Sequence, residues 1–505
     1  MSIPYIVDGE TDADSTTINA WIDAINGLRA VVRNVSDYAS PAAAIAAASA
    51  GDTIYFPAGV YTLKNAAPYT AGLSITKSLT LRADRGAILR ADPTSPDGIR
   101  MVAISADDVT IDGLTFDPNG IPSASCNYLA NASFVQITNC HFDDPKSGAM
   151  LLDGNVTDVQ FVNNRVRGLG YGVLANDQAG HERIIVVNNT FDGEGGSGDA
   201  IEFNGITNTH TDISVIGNTV LNYASSSEHA GFGIGFARVH RGVIQGNTVD
   251  TASRAGIHVE HLSNGVIVRG NTVANCDHAG IEVQGESGGT CTNIVIDGNY
   301  VENCTLNPSL SDVLLGRGGI DIGFSVSDWL NGFGARQVIV SNNIIDGCQG
   351  AGIYLTSVTN SNVTGNIIRN IYGDSVDTVH AVENVGIHAI SCDRTRFIGN
   401  LIVDTQGGSA TTYYPMLFYG SAVSLYAYMN HWAGTLGGSR DLTTGISRAL
   451  GLETHLQFGP GAKIGFYGTT PGSRPTITGS RGSNAALASL LTQLASLGLI
   501  TDSTS

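Results

Sequence analysis

One asparagine recurs along this chain at intervals close to the length of a single solenoid coil. It stands in short motifs such as NNTF, GNTV and GNII, and a β-branched or aromatic residue follows within two positions. The recurring residues are Asn164, Asn189, Asn218, Asn247, Asn271, Asn299, Asn343, Asn366 and Asn400. The steps between them are 25, 29, 29, 24, 28, 44, 23 and 34 residues. Periods of about 20–50 residues with short strands and tight turns are typical of solenoids.

Each repeat unit has the pattern of β-structure and not of helix. A unit such as DISVIGNTVLNYASSSEHAGFGIGF alternates β-branched residues with polar ones and breaks at glycines. An apolar stripe with a helical period of 3.6 is missing from these units. The sequence therefore predicts an all-β fold, a right-handed single-stranded parallel β-helix. The asparagines should stack as a side-chain amide ladder at one turn, a structural role without chemistry.

The pattern divides the chain into four parts. We predict an N-terminal segment over 1–33, the β-helix over 34–406, a small β-rich region over 407–470, and a linker with a C-terminal helix over 471–505. Within SPAAAIAAASAG, Ser40 is the expected N-cap and Pro41 the first residue of a helix that covers the open end of the first coil.

The C-terminal helix is predicted from leucines at helical spacing. Its apolar positions are Leu487, Leu490, Leu491, Leu494 and Leu497. Two arrangements fit an amphipathic helix of this kind. The apolar face either folds back on its own chain or packs against the same helix in other copies.

Composition excludes several classes of function. The formal net charge is -19, and an acidic chain is a poor nucleic-acid binder because phosphates require clustered Lys and Arg. The apolar runs fall short of the roughly 18 residues of a membrane span. The beginning, MSIPYIVDGETDAD, lacks a basic segment followed by an apolar core, so we expect no secretory signal.

The seven cysteines are expected to be buried thiols. Cys276, Cys304 and Cys348 share one coil position, which indicates a stack of side chains in the core. The sequence has no CxxC or Cys/His metal spacing, so we predict neither disulfides nor zinc. It indicates no cofactor, and no motif specifies a bound Ca²⁺.

The strand after each variable loop carries a column of polar residues. In AIEFN, GIHVE, GIEVQ and GIDIG, the second and fourth residues should point inward and the third and fifth should face solvent. Coils stack about 4.8 Å apart, so the polar residues of neighbouring coils should form one surface patch. The members of this patch are Arg254, His258, Glu260, His278, Glu282, Arg317 and Asp321.

Two further acids stand beside this patch. Asp199 occupies a position where the other coils have non-polar residues, and Glu202 follows three residues later. Paired carboxylates can serve as proton donor and as nucleophile or base in glycoside hydrolysis. A long groove flanked by variable loops suits an extended glycan, and Trp329 could stack on a sugar ring or anchor its loop. The alternative is that the charged residues merely neutralise one another on a strand that must be polar.

Three segments resemble bacteriophage tailspike depolymerases with the pectate-lyase-like β-helix. They are GDAIEFN, GFGIGFA and SRAGIHVEH, which lie within about 65 residues. The family's acidic strand, glycine-rich strand and His-Val-Glu strand match here at Asp199, Glu202, Gly233, Arg254, His258 and Glu260. The resemblance implies a polysaccharide-degrading homotrimer in a virion tail, with bacterial surface polysaccharide and other tail proteins as partners. GDA stands where pectin hydrolases have GDD, which disfavours pectin hydrolysis.

The two ends of the chain are also similar to phage proteins. GAKIGFYGTTP and the segment that contains SNAALASLLTQLASLG resemble a tail segment of phage and prophage tail proteins. Residues 1–33 are similar to short attachment regions of such proteins.

Three functions therefore compete at this stage. The first is a glycan hydrolase that uses Asp199, Glu202 and Glu260 as catalytic residues, with Arg254, His258, His278, Glu282, Arg317, Asp321 and Trp329 as substrate-binding residues. The second is a lyase or epimerase on a uronic-acid polymer, in which an arginine neutralises the carboxylate and His258 moves a proton. The third is a tail fibre that binds a surface glycan without cleaving it.

Overall fold

A computed structural model shows the chain wound into stacked coils, each contributing a strand to three long parallel sheets. The structure describes residues 30–441 and 476–504, apart from 169, 177–178, 197, 225–229, 286–288, 307–317, 325–333, 373–383, 406–411, 413, 420–424, 435–439, 481 and 497–499. Every strand pairing among the described residues is parallel, and each strand pairs with its counterpart on the next coil, as the repeat predicts. The predicted fold class, a right-handed parallel β-helix, is confirmed.

The strands are given by sheet, in the order in which a coil visits the sheets. Sheet 1 comprises Val32–Asn34, Thr53–Phe56, Thr80–Ala83, Val109–Asp112, Ser133–Thr138, Thr157–Val162, Glu182–Val187, His210–Thr211, Ser214–Ile216, Val239–His240, Val243–Gln245, Ile267–Arg269, Val295–Asp297, Ile339–Ser341, Asn362–Thr364, Thr395–Ile398 and Leu425–Tyr428. Sheet 2 comprises Gly59–Leu63, Ala87–Ala91, Thr115–Asp117, His141–Asp143, Arg165–Arg167, Thr190–Asp192, Thr219–Tyr223, Thr248–Ala252, Thr272–Ala274, Tyr300–Glu302, Ile344–Asp346, Ile367–Arg369, Leu401–Val403 and His431–Ala433. Sheet 3 comprises Ala71–Ile75, Arg100–Ile104, Ser125–Ala130, Gly148–Asp153, Tyr171–Ala175, Ile201–Asn204, Ile234–Ala237, Ile257–Glu260, Ile281–Gly285, Gly318–Phe324, Ala351–Thr356, Val385–Ile390, Tyr414–Tyr419 and Arg440–Asp441.

The interior is one continuous hydrophobic core that runs the length of the coils. The predicted inward positions on sheet 3 belong to this core; they are Ile257, Val259, Ile281, Val283, Ile320 and Ile322. Register in a strand is an all-or-none matter, because a slip of one residue would exchange these aliphatic side chains for charged ones. Burial of each aliphatic side chain contributes about 1.5–3 kcal/mol. The alternation therefore fixes which side chains point away from the core on this sheet.

The asparagine ladder forms as predicted at the turn between sheets 1 and 2. At each rung the side-chain oxygen accepts a hydrogen bond from the backbone N–H of the preceding asparagine, as Asn247 does from Asn218 at 2.9 Å. The Nδ2 atom of Asn247 donates to Asn271 Oδ1 at 3.0 Å and to the carbonyl of Val215 at 2.9 Å. The ladder is buried, and it continues one rung past the predicted set to Asn430.

The N-terminal end is covered as the sequence predicts. The helix α1 spans Pro41–Ala47, and Ser40 Oγ accepts a hydrogen bond from the backbone N–H of Ala43 at 3.2 Å. Ala44 and Ile45 join the hydrophobic core. A short 3-10 helix, Val35–Asp37, precedes α1.

The other end of the β-helix lies later than the predicted boundary at residue 406. Tyr414–Tyr419, Leu425–Tyr428 and His431–Ala433 pair in parallel with the preceding coil, so they add another coil to the three sheets. The sequence analysis missed this coil because its ladder residue, Asn430, stands in MNHW and lacks the small polar partner of the other motifs. Part of the region predicted as a separate β-rich domain is therefore β-helix.

Residues 451–505 form a second compact unit. It contains a helix, α2, over Ala485–Ser496 between two strands, Thr476–Gly479 and Thr501–Thr504, which pair in parallel. The predicted C-terminal helix is confirmed, although Leu497 lies outside the described residues. Leu491 is buried, whereas Leu487 and Leu490 are exposed on this chain. One part of the apolar face thus packs within the chain, and the other part is available to a partner.

All seven cysteines are free and buried. Cys276, Cys304 and Cys348 lie in the core, and burial and the neighbouring thiols raise the pKa values of Cys304 and Cys348. Of the helices in the described part of the chain, none has the length and apolarity needed to cross a membrane.

Candidate active site

The polar column lies on sheet 3 in the predicted register. Glu202 pairs with Gly235, Gly235 with His258, His258 with Glu282, and Glu282 with Asp321. The fifth positions of the same strands form a parallel column, in which Glu260 lies between Ala237 and Gln284. Because each step is one coil, the column spans five successive coils, and the acidic and histidine side chains of four of them share one strip of the surface of sheet 3.

The Glu202 carboxylate occupies the space that Gly235 leaves open. A Cβ atom on Gly235 would lie 1.8 Å from Glu202 Oε2, so a side chain at that position would displace the carboxylate. Glu202 can therefore reach across the glycine coil toward His258. Burial, Asp199 and Glu260 raise the pKa of Glu202 well above its ordinary value, and the opposing effect of His258 is smaller. The raised pKa favours the protonated form of this carboxyl group.

His258 is clamped between two glutamates. Its Nδ1 lies 2.8 Å from Glu282 Oε2, and its Nε2 lies 2.9 Å from Glu260 Oε2. The imidazole is 5% exposed, and burial alone would lower its pKa. The charges and hydrogen bonds of Glu260 and Glu282 outweigh burial and raise the pKa of His258 well above its ordinary value. Both ring nitrogens are therefore donors of an imidazolium at neutral pH.

Asp199 accepts hydrogen bonds from two backbone N–H groups that the sequence did not reveal. Its Oδ1 accepts hydrogen bonds from the backbone N–H groups of Gly231 at 2.7 Å and Phe232 at 2.8 Å. Burial raises the pKa of Asp199 to about 7, even though these two hydrogen bonds and His258 lower it. The carboxyl thus fixes the segment from which the Phe232 ring packs on the His258 ring, at a centroid distance of 4.7 Å.

The expectation that the patch faces open solvent is wrong for most of its members. Arg254, His258, His278, Glu282 and Asp321 point away from the hydrophobic core yet are all buried, whereas Glu260 and Glu202 are partly exposed. Stacked coils place polar side chains against one another, and the Phe232 ring covers the imidazole of His258. Arg254 Nη1 lies 3.4 Å from both ring nitrogens of His278, so this pair forms a second buried contact in the strip.

The structure brings together eight of the ten predicted site residues or places them on adjacent coils. They are Asp199, Glu202, Arg254, His258, Glu260, His278, Glu282 and Asp321. Arg317 and Trp329 lie outside the described residues. Sequence reasoning missed Gly235 and Phe232 as contributors. Gly235 interrupts the column between Glu202 and His258, and this glycine among charged positions was the sequence signal that could have identified it.

The arrangement provides groups that are suited to acid–base chemistry. It combines carboxyl groups whose pKa values are raised with a carboxylate, Glu260, that is paired to a cationic imidazole and partly exposed. Neighbouring titratable groups driven to opposite protonation states are typical of sites that use one acid and one base. The described residues contain no group of three or more His, Cys, Asp or Glu side chains arranged to hold a metal ion.

Comparison with protein families supports the fold. Residues 94–220 and 197–328 match the family model of the right-handed beta helix region, and residues 332–419 match that of the periplasmic copper-binding protein NosD. The described residues do not offer the ligand cluster that copper would require. A search of curated protein sequences gives no match to this chain.

Solved structures with a similar fold include several whose names identify polysaccharide-active proteins. The A-module of mannuronan C-5 epimerase AlgE4 from Azotobacter vinelandii shares 15% identity over 83% of this chain and 99% of its own, with a TM-score of 0.43. The catalytic unit of a GH87 alpha-1,3-glucanase from Streptomyces thermodiastaticus shares 14% identity over 83% and 68%, with a TM-score of 0.44. The Dettilon tailspike protein shares 15% identity over 77% and 62%, with a TM-score of 0.38.

The fold assignment rests on the sheet topology and on the family model over residues 94–328. The chain is a right-handed parallel β-helix protein with an acid-rich strip on sheet 3.

Proposed function

We propose that this protein is a glycoside hydrolase that binds and cleaves a bacterial surface polysaccharide, either capsule or exopolysaccharide. The observation that carries the proposal is the His258 clamp beside Glu202. One carboxyl group is kept protonated while a second, a few side chains away, is held beside a cation. Glycoside hydrolysis requires these two states at once, a proton donor and a nucleophile or base.

In this proposal Glu202 protonates the leaving glycosidic oxygen. Its raised pKa favours the protonated carboxyl up to a higher pH than in an ordinary glutamate. Glu260 acts as the nucleophile or base, because its carboxylate is partly exposed and its Oε2 is oriented by His258 Nε2. Asp199 acts as a positioning residue through Gly231 and Phe232 and helps to raise the pKa of Glu202.

Substrate contacts come from the same strip. Glu282 orients His258, and Asp321 stands on the next coil at the same column position. We assign Arg254, His278, Arg317 and Trp329 to substrate binding along the groove. A lyase or epimerase receives less support, because both ring nitrogens of His258 are engaged by glutamates and Arg254 is packed against His278.

The biological setting belongs to the same proposal. The motifs around Asp199 and Glu260 and the C-terminal segments support a tailspike-type depolymerase that acts outside the cell as part of a virion tail. We propose a homotrimer, with residues 1–33 as the attachment region. The exposed Leu487 and Leu490 of α2 give the second unit an apolar surface for assembly. Light scattering on a chain truncated after Thr470 tests this point: loss of the trimer is expected, and an unchanged trimer would place the contacts elsewhere.

Products decide the reaction. Purified capsular polysaccharides and exopolysaccharides from a panel of bacterial strains are incubated with the full chain, and the products are analysed by mass spectrometry and ultraviolet absorbance. Fragments that have gained one water per cleavage are expected. Unsaturated, ultraviolet-absorbing ends would contradict hydrolysis and indicate a lyase reaction. Retained binding without fragments would make the protein an adhesin. NMR of the first-formed anomer then distinguishes inversion from retention.

A further inference from the structure

A polar depression lies on the turn between sheets 2 and 3, away from the strip that carries Glu202 and His258. It has a volume of about 450 Å³. Its lining residues are Asn275, Glu302, Asn303, Asp346, Gly347, Asn370 and Tyr372. Cavities of about 300–1,000 Å³ are of a size that binds small molecules. The proposed hydrolase activity uses none of these residues.

The depression arises from a gap in a second column of asparagines. Asn275, Asn303 and Asn370 each follow the last residue of a sheet 2 strand and adopt φ values of 55°, 50° and 54°. Gly347 holds the same position on the coil between Asn303 and Asn370, with a φ of 60°. A Cβ atom at Gly347 would meet nothing within 4 Å. The column therefore lacks one side chain, and the missing amide leaves the space open.

The groups that line the gap are hydrogen-bonding, and the nearest cation, Arg369, is paired through Nη2 with Asp346 Oδ2 at 2.7 Å. Asn303 donates through Nδ2 to Asn275 Oδ1 at 2.6 Å, and Asn303 Oδ1 accepts from the Tyr372 hydroxyl at 3.2 Å. Asn370 donates to Asp346 Oδ1 at 2.9 Å. The lining contains two carboxylates and no Lys or Arg, which disfavours anionic ligands. Among the described residues, no three His, Cys, Asp or Glu side chains come together here in a way that could hold a metal ion, which disfavours a bare cation.

We propose that this depression is a saccharide-binding site for neutral sugar units, separate from the site of cleavage. Amide and carboxylate oxygens accept hydrogen bonds from sugar hydroxyls, amide N–H groups donate to them, and the Tyr372 ring supplies an apolar wall. The site spans the coils of Asn275, Asn303, Gly347 and Asn370, about 14 Å at about 4.8 Å per coil, which is room for a short oligosaccharide. It would hold a chain on the side of the solenoid next to sheet 3.

The substitution Gly347→Asn provides a sharp test. It restores the missing amide in a conformation that three neighbouring asparagines already adopt, so we expect the fold and melting temperature to be kept. The matched control is Gly298→Asn, at a φ of 65° with open space, on the turn between sheets 1 and 2. Tyr372→Phe, which removes only the hydroxyl, is the second variant.

Binding of maltohexaose, cellohexaose, laminarihexaose and mannohexaose to the full-length wild type and variants is measured by saturation-transfer NMR. We expect at least one of them to bind, Gly347→Asn to weaken binding by at least about tenfold, and Gly298→Asn to leave it unchanged. Binding that is insensitive to Gly347→Asn, or no binding by any neutral probe, would overturn the proposal. The proposal would also be overturned if hexagalacturonate bound, or if calorimetry detected binding of calcium chloride alone, and Gly347→Asn abolished that binding. The test reads binding, so it stands apart from whether the protein cleaves a polymer.

Discussion

The asparagine ladder and the strip on sheet 3 are both columns of polar side chains at the same coil-to-coil spacing, yet their energetics are opposite. An asparagine amide is donor and acceptor at once, so each rung satisfies the next, as between Asn247 and Asn271. Carboxylates only accept, and a stack of them needs either protons or a cation between its members. In the strip, the raised pKa of Glu202 favours its protonated form, whereas Glu260 is paired with the cationic imidazole of His258.

The difference separates a structural column from a functional one. A self-satisfied amide column costs little to bury, so its presence on successive coils from Asn164 to Asn430 needs no further explanation. The strip occupies only a few coils and carries raised pKa values and a buried imidazolium. Such groups are costly to bury, and their confinement to one place favours a site maintained for chemistry.

The largest expected effect is on cleavage. Glu202→Gln and Glu260→Gln should each keep the fold and lose about 100- to 10,000-fold in rate, since each removes a group that transfers a proton or attacks the sugar. Initial rates on the polysaccharide identified as substrate measure the loss. Glu182→Gln, on the exposed side of sheet 1, is the control. Wild-type rates in both variants would contradict this assignment and make Glu282 and Asp321 the next candidates for the catalytic pair.

The ladder should respond in stability and not in cleavage. Asn247→Ala removes the side-chain oxygen that accepts from the backbone N–H and Nδ2 of Asn218, and the Nδ2 that donates to the Val215 carbonyl, so a loss of about 2–4 kcal/mol in the free energy of unfolding is expected. Denaturant unfolding measures it, and Asn155→Ala, an exposed turn residue, is the matched control. A loss below about 0.5 kcal/mol would show that water replaces the amide at little cost.

Asp199 should destabilise the fold at high pH. Its folded-state pKa of about 7 lies above the ordinary 3.8, so ionisation penalises the folded state as pH rises through about 7. Asp199→Asn keeps an oxygen for Gly231 and Phe232. It should therefore stabilise the protein by on the order of 2 kcal/mol at about pH 8, with no gain below about pH 4. Melting curves across this range check the trend, and a gain that does not vary with pH would contradict it.

The smallest effect is expected at the glycine gap of the strip. Gly235→Ala should leave the fold intact, because the atom it meets is the flexible end of Glu202. The displaced carboxyl should lower cleavage about tenfold, a cost of about 1.4 kcal/mol in the transition state. Unchanged cleavage would mean that the Glu202 carboxyl works from another position.

Much of this comparison was accessible from the sequence. The asparagine period predicts the coils, and strand alternation predicts which residues of sheet 3 share a column. Both depend only on spacing, which stacked coils preserve. Sequence reasoning failed to predict which side chains are buried by residues from other strands and loops. It placed His258 and Glu282 in solvent, because nothing in the alternation reports that Phe232 and the stacked side chains would enclose them.

Two further misses have the same origin. The backbone partners of Asp199 belong to a loop on the next coil, and loop paths are not encoded by the period. The last coil was overlooked because Asn430 departs from the motif although it keeps its place in the ladder.

The buried thiols of the core also bear on the chemical durability of the protein. A thiol reacts with oxidants and alkylating agents as the thiolate, and burial raises the pKa of Cys140 and Cys392 to about 12. The folded chain should therefore be inert to thiol reagents while every cysteine becomes reactive on unfolding. Because the coils hold together without disulfides, the stability of the fold should not depend on the redox state of its surroundings.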